Sequence, residues 1–248
     1  MATKRRAARS AAARVRSGRS AVLVALALFA GFALSSLFAT DPAQAVPSFA
    51  RQTGQPCASC HTAFPELTPF GRRFKLAGYT LQGGDSKFPP IAAMLLPTFS
   101  HTASPYLVGE QPPGLHANDN FVTQQATVFY GGQVYGNLGA FIQVTADPVG
   151  GAINLDQSDV RYVDSFKLFD KDAYWGVTVN NSPTVQDVWN TTPAFGWPQA
   201  SSAVAPLFTP PGTRIEGGWG LPAIFGAGGY VFWNDMLYAE LTAYSGVS

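Results

Sequence analysis

From about residue 91 onward, apolar and polar side chains alternate with period two, which predicts strands with one apolar and one polar face. In LGAFIQVTAD (138–147), Leu138, Ala140, Ile142, Val144 and Ala146 share one face, and Gly139, Phe141, Gln143, Thr145 and Asp147 the other. In MLYAELTAY (236–244), Leu237, Ala239, Leu241 and Ala243 oppose Met236, Tyr238, Glu240, Thr242 and Tyr244. Within 158–168, Val160, Tyr162, Phe166 and Leu168 oppose Asp159, Arg161, Ser165 and Lys167. Seven strands are predicted, at roughly 91–102, 121–135, 138–147, 158–169, 173–180, 223–233 and 236–245. Gly136-Asn137, Asp170-Lys171-Asp172 and Asn234-Asp235 supply tight hairpin turns. The other connections, 103–120, 148–157 and 181–222, are expected to be long loops.

Short turns alternating with long loops place all the turns at one end of the sheet. This is the pattern of an antiparallel outer-membrane β-barrel, with strands apolar outward and polar inward. Phe129, Tyr130, Tyr135, Tyr174, Trp175, Phe232, Trp233 and Tyr244 are expected to supply its interfacial girdles. A soluble sandwich would also bury one face of each strand, but it gives no reason for the loop asymmetry. Seven strands fall one short of the smallest even-numbered barrel, and an open edge in lipid leaves backbone groups unpaired. The expected fold is thus mainly β, a partial barrel of about seven strands over 85–248, either part of a longer chain or closed by oligomerisation.

The stretch 46–84 has a different texture. Thr68 and Pro69 form a helix start, Phe70, Phe74 and Ala77 share a face, and Gly78 can end the helix. Arg72, Arg73 and Lys75 are expected to point mostly elsewhere. Before it, seven basic residues between Lys4 and Arg19 precede the apolar run AVLVALALFAGFAL (21–34) and AQA at 43–45. That order predicts a secretory signal over 1–45, cut after Ala45. A membrane anchor would need a longer apolar run.

The formal charge of +1 depends on this leader. Removing its seven basic residues and Asp41 leaves nine basic side chains against fourteen acidic, a balance of −5. Without clustered Lys and Arg to meet phosphates, nucleic acid is not an expected partner. Charged residues make up only 12% of the chain, about half the usual share, while 46% is hydrophobic.

Both cysteines and one of the three histidines fall within QPCASCHTAF (55–64). C-x-x-C-H is the attachment motif of c-type haem. Thiols three positions apart can form thioethers to two porphyrin vinyl groups, which places the next residue to ligate the iron. One covalent haem c is therefore expected, held by Cys57 and Cys60 with His61 as proximal ligand. A Cys57–Cys60 disulfide would leave His61 unexplained, and zinc would need more ligands. The sixth iron ligand is open among Met94, Met236, His101, His116, water and none. Met94 leads, because it shares the polar face of the first strand with Thr98 and Ser100.

FARQTGQPCASCHTAFPELTPFGRRFKLAGYTL (49–81) and IAAMLLPTFSHT (91–102), taken together, resemble the outer-membrane monohaem cytochrome-porin fusions of iron-oxidising bacteria. The resemblance implies a haem segment plugging a porin-like barrel in the outer membrane of a Gram-negative bacterium. It also implies electron transfer from an extracellular donor, above all Fe(II), to periplasmic carriers such as soluble cytochromes c. On that reading any enzymatic label would be Fe(II) oxidase. Asp147, Asp159, Arg161 and Glu240 would line the lumen, guiding cations or countering haem propionates. No G-x-S-x-G, H-E-x-x-H or P-loop motif is present, and no catalytic residue is assigned. Two other readings stay open: a diffusion porin with a tethered haem segment, and a soluble periplasmic electron-carrier cytochrome c.

Overall fold

The computed structural model describes residues 46–84, 88–104, 114–191 and 224–246. The leader at 1–45 lies outside the described residues. Seven strands form one antiparallel sheet in chain order: β1 (Ile91–Ser100), β2 (Asn120–Tyr135), β3 (Leu138–Asp147), β4 (Ala152–Leu168), β5 (Lys171–Asn180), β6 (Ile224–Trp233) and β7 (Leu237–Gly246). The sheet is open, with β1 and β7 as its edges. An odd up-and-down series has its first and last strands running the same way, so these seven cannot close antiparallel on themselves.

Three connections differ from expectation. The β4–β5 turn is Phe169-Asp170, both at positive φ (52° and 59°), and Lys171 and Asp172 belong to β5. The β6–β7 turn takes in Met236 as well as Asn234 and Asp235, so Met236 lies outside the strand and is 75% exposed. The β3–β4 connection spans only residues 148–151, closed by Asp147, whose Oδ1 accepts from the amides of Val149 and Gly150 at 2.9 Å each. Ile153 and Leu155 face outward in phase opposite to Val160 and Tyr162. An extra residue in β4, where the β3 pairing shifts at Gln143/Val144, makes the switch. That break in alternation hid the first residues of β4, which begins at Ala152 within the stretch expected to be a loop.

The buried face is the polar one. Thr127, Thr145, Asp159, Arg161, Thr178 and Asn180 are all buried. The opposite face leaves Leu95 (64%), Val128 (55%), Val177 (45%) and Leu241 (84%) in the open. This is the reverse of a water-soluble sheet, whose apolar face is the one covered.

Three short helices cover the polar face, where the sequence predicts one. They are α1 (Pro47–Thr53), α2 (Cys57–Cys60) and α3 (Pro69–Leu76). Gly54 ends α1 at φ 67°. Thr68 caps α3, its Oγ1 accepting from the Gly71 amide at 3.1 Å, and Gly78 follows the helix at φ 68°. Phe49, Phe74 and Tyr79 pack with Phe141, which stacks on Phe129. Gln52 ties α1 to the turn end of the sheet, donating to Tyr79 O (2.6 Å) and accepting from Gln133 N (2.9 Å). Arg73 donates to Tyr174 Oη at 3.2 Å and lies 3.9 Å from Asp235. Residues 46–84 thus occupy the short-turn end of the polar face.

A strap after β5 covers more of that face. It begins with a 3₁₀ turn at Pro183–Gln186 and carries Val188 onto Leu76, Val163, Tyr230 and Phe232. A methyl group on Gly139 would collide with the Gly78 carbonyl, where segment and sheet meet backbone to backbone. Gly139→Ala is therefore expected to loosen residues 46–84 at a cost of about 1–3 kcal/mol. Limited proteolysis checks it by an earlier cut within that segment.

Candidate haem-attachment site

Cys57 and Cys60 bracket the single turn of α2, and the His61 amide donates to Cys57 O at 3.0 Å. Both thiols are free and half-buried. Burial, and then the neighbouring Cys57, push the Cys60 thiol up. The motif is held from below by α3. Thr68 donates through its amide to Cys60 O (2.9 Å) and through its hydroxyl to Ser59 O (2.5 Å). Gly71 lies so close to the Cys60 carbonyl that no larger residue fits there.

His61 Nδ1 lies 3.2 Å from Pro65 O. A carbonyl only accepts, so this contact makes Nδ1 the protonated nitrogen and leaves the Nε2 lone pair for a metal, the arrangement ligating histidines adopt. Burial lowers the His61 pKa, opposed by its bonds to Pro65 and Glu66. A neutral imidazole is the form that ligates. The Phe64 ring lies 5.2 Å away. The loop after His61 is fixed from outside the motif, since Leu67 N donates to Trp189 O at 2.9 Å and Arg72 lies over the Trp189 ring at 5.8 Å.

Met94 lies on the polar face of β1, half-buried and paired with Thr127. The hydrogen bonds that hold the motif run to Pro65, Thr68 and Trp189, whereas the β1 edge is held by Arg51, which donates to Ile91 O at 2.6 Å. Met236 sits in the exposed β6–β7 turn, its sulfur accepting from Asn234. His101 follows β1 and pairs with Asp119 at 2.7 Å, and the His116 backbone pairs with the Asn120 side chain. Both histidines belong to the β1–β2 connection, at the opposite end from residues 46–84.

The four lumen candidates are all engaged by other groups of the protein, Asp159 and Arg161 buried and Glu240 and Asp147 half-buried. Asp159 is buried and accepts from Arg161 Nε (2.7 Å), Tyr79 Oη (2.6 Å) and Thr178 Oγ1 (2.8 Å). Arg161 lies between the Tyr79 and Tyr230 rings at 5.8 and 5.1 Å. Glu240 accepts from Tyr238 and Thr242, and Asp147 caps its own turn. Sequence reasoning missed Lys75, which is buried at 5% exposure and donates to Asp187 O and Asn190 Oδ1, both at 2.8 Å. Burial, then the like charge of Arg161, lower its pKa to about 7. It lies four residues from Gly71 on one helical face, the available signal that it points inward.

Cys57 and Cys60, free on one turn, are the residues that would tether a haem, and His61, with its Nε2 lone pair available, is the residue that would ligate its iron. Among the described residues no group of three or more His, Cys, Asp or Glu side chains could hold a bare metal ion. Compared with models of known families, with curated proteins and with solved structures, the chain matches none.

Proposed function

We propose that the chain is a monohaem c-type electron-transfer protein of the outer membrane. Electrons pass from an extracellular donor, Fe(II) being the proposed one, to periplasmic carriers such as soluble cytochromes c. The observation that carries this reading is the inverted sheet with a C-x-x-C-H segment seated on its polar face. An outward face of exposed Leu, Val and aromatic residues suits lipid.

The outward aromatics support a membrane band. Phe99 pairs with Phe121, and Phe225 lies near the same, long-loop end. Tyr130, Tyr135, Trp175 and Trp233 lie toward the turn end, whereas Phe129, Tyr174, Phe232 and Tyr244, expected in the girdles, face inward. Phe225 to Trp233 is eight steps of about 3.3 Å, or about 20 Å once strands tilt by about 40°, close to the apolar height of such barrels.

Haem, when bound, supplies reversible one-electron transfer. Cys57 and Cys60 tether it, His61 presents Nε2, and the Pro65 carbonyl keeps that nitrogen unprotonated. The segment and the strap fill the polar face with buried hydrogen bonds, which favours a plugged conduit over a diffusion pore with a dangling appendage.

A donor that cannot cross membranes tests the direction of transfer. Added to intact cells, it is expected to raise the reduced α-band of the haem. No reduction in intact cells, followed by reduction after lysis, overturns the conduit reading.

A further inference from the structure

Lys75 lies on α3, the helix that supports the attachment motif. Gly71 abuts the Cys60 carbonyl, and Lys75 follows one turn later, about 6 Å along the axis. Its amine is buried between α3, the strap and the sheet. The charged groups facing it are Arg161 and Asp159 of β4, Asp187 of the strap and Glu240 of β7, with Tyr79, Tyr230 and Tyr238 bordering the same cluster. A proton placed here changes the charge of an interior shielded from water, where one charge acts on another far more strongly than in solvent.

We infer that Lys75 is a proton-linked residue of the electron-transfer site: its amine gains a proton when the iron at His61 is reduced and loses it when the iron is oxidised. The inference rests on the haem reading. Reduction would remove one positive charge from the iron centre, so a positive charge held elsewhere in the same water-shielded interior becomes easier to hold. The electron comes from the external donor and the proton from water onto the Nζ lone pair. Oxidation by the periplasmic carrier removes the electron, and the proton returns to water. Only an N–H bond forms or breaks. Burial that brings the amine to titrate near 7 puts the exchange within the periplasmic pH range. Lys75 is a positioning and charge-linked residue here; its described hydrogen bonds run to Asp187 O and Asn190 Oδ1.

Spectroelectrochemical titration of the detergent-solubilised holoprotein between pH 5.5 and 9 tests the inference. The midpoint potential is expected to fall as pH rises through about 7, equivalent to a change of about fivefold in the reduced-to-oxidised ratio at fixed applied potential. Lys75→Met is expected to flatten the curve, and Lys75→Arg to hold it at its acid limit. A flat wild-type curve, or an unchanged slope in either variant, overturns the proposal. If Lys75→Met does not accumulate, Lys75→Arg decides. Absence of covalent haem in the wild type strikes at the haem reading, whereas haem with a pH-independent potential strikes at this inference alone. In the Cys57→Ser/Cys60→Ser chain, the pH profile of amine labelling at Lys75 reads its titration without haem. A midpoint above about 10, the ordinary lysine value, would also overturn the proposal.

Discussion

Replacing Cys57 and Cys60 together with serine is expected to abolish covalent haem, leaving no haem-stained band on a denaturing gel while the polypeptide remains detectable. A hydroxyl cannot form the thioether, so the loss is complete rather than partial. Each single variant keeps one attachment and is expected to stain more weakly. On the haem proposal, His61→Ala keeps both attachment thiols and removes the ligating imidazole, so its band should still stain while the Soret and α-band positions shift. The two outcomes separate attachment from ligation. Unchanged staining in the double variant would sink the attachment claim.

A charge on the outward face is expected to have an effect of similar size. Val177 lies in the middle of β5, between Tyr162 of β4 and Gly229 of β6. Val177→Arg is expected to destabilise the protein in lipid vesicles by about 2–4 kcal/mol, the cost of a cation near the bilayer midplane. If that face met water instead, the same change would fall within about ±0.5 kcal/mol, as exposed substitutions usually do. Denaturant titration of vesicle-reconstituted wild type and variant measures the difference. A variant as stable as wild type would remove the lipid-facing assignment and favour the soluble alternative.

The strands were legible because alternation needs no partner to be read. Gly139, Phe141, Gln143, Thr145 and Asp147 face inward as the pattern of β3 predicts, and Tyr238, Glu240, Thr242 and Tyr244 do so in β7. Legibility failed where an extra residue broke the phase, as at the start of β4. It also failed where a turn used unexpected residues, as at Phe169. The grouping of Cys57, Cys60 and His61 on one turn was legible, since the three are local in sequence. What held it in place was not. Tyr79 meets Asp159 across 80 residues, and Lys75 meets Asp187 across 112. No periodicity encodes such contacts, and a lysine beside two arginines reads as solvated until the strap is seen lying over it.

One contact bears on how the molecule is assembled. Tyr230 Oη donates to Leu76 O at 2.8 Å, joining residues 154 positions apart, and Arg73 reaches Tyr174 across 101. Contacts of such long range form late, because the intervening chain must first be ordered. The segment bearing the cysteines therefore precedes every strand in the chain yet gains the last of its anchors only after β5 and β6 exist. If the proposed haem is attached, that interval, before the last anchors form, is the expected window for making its two thioethers.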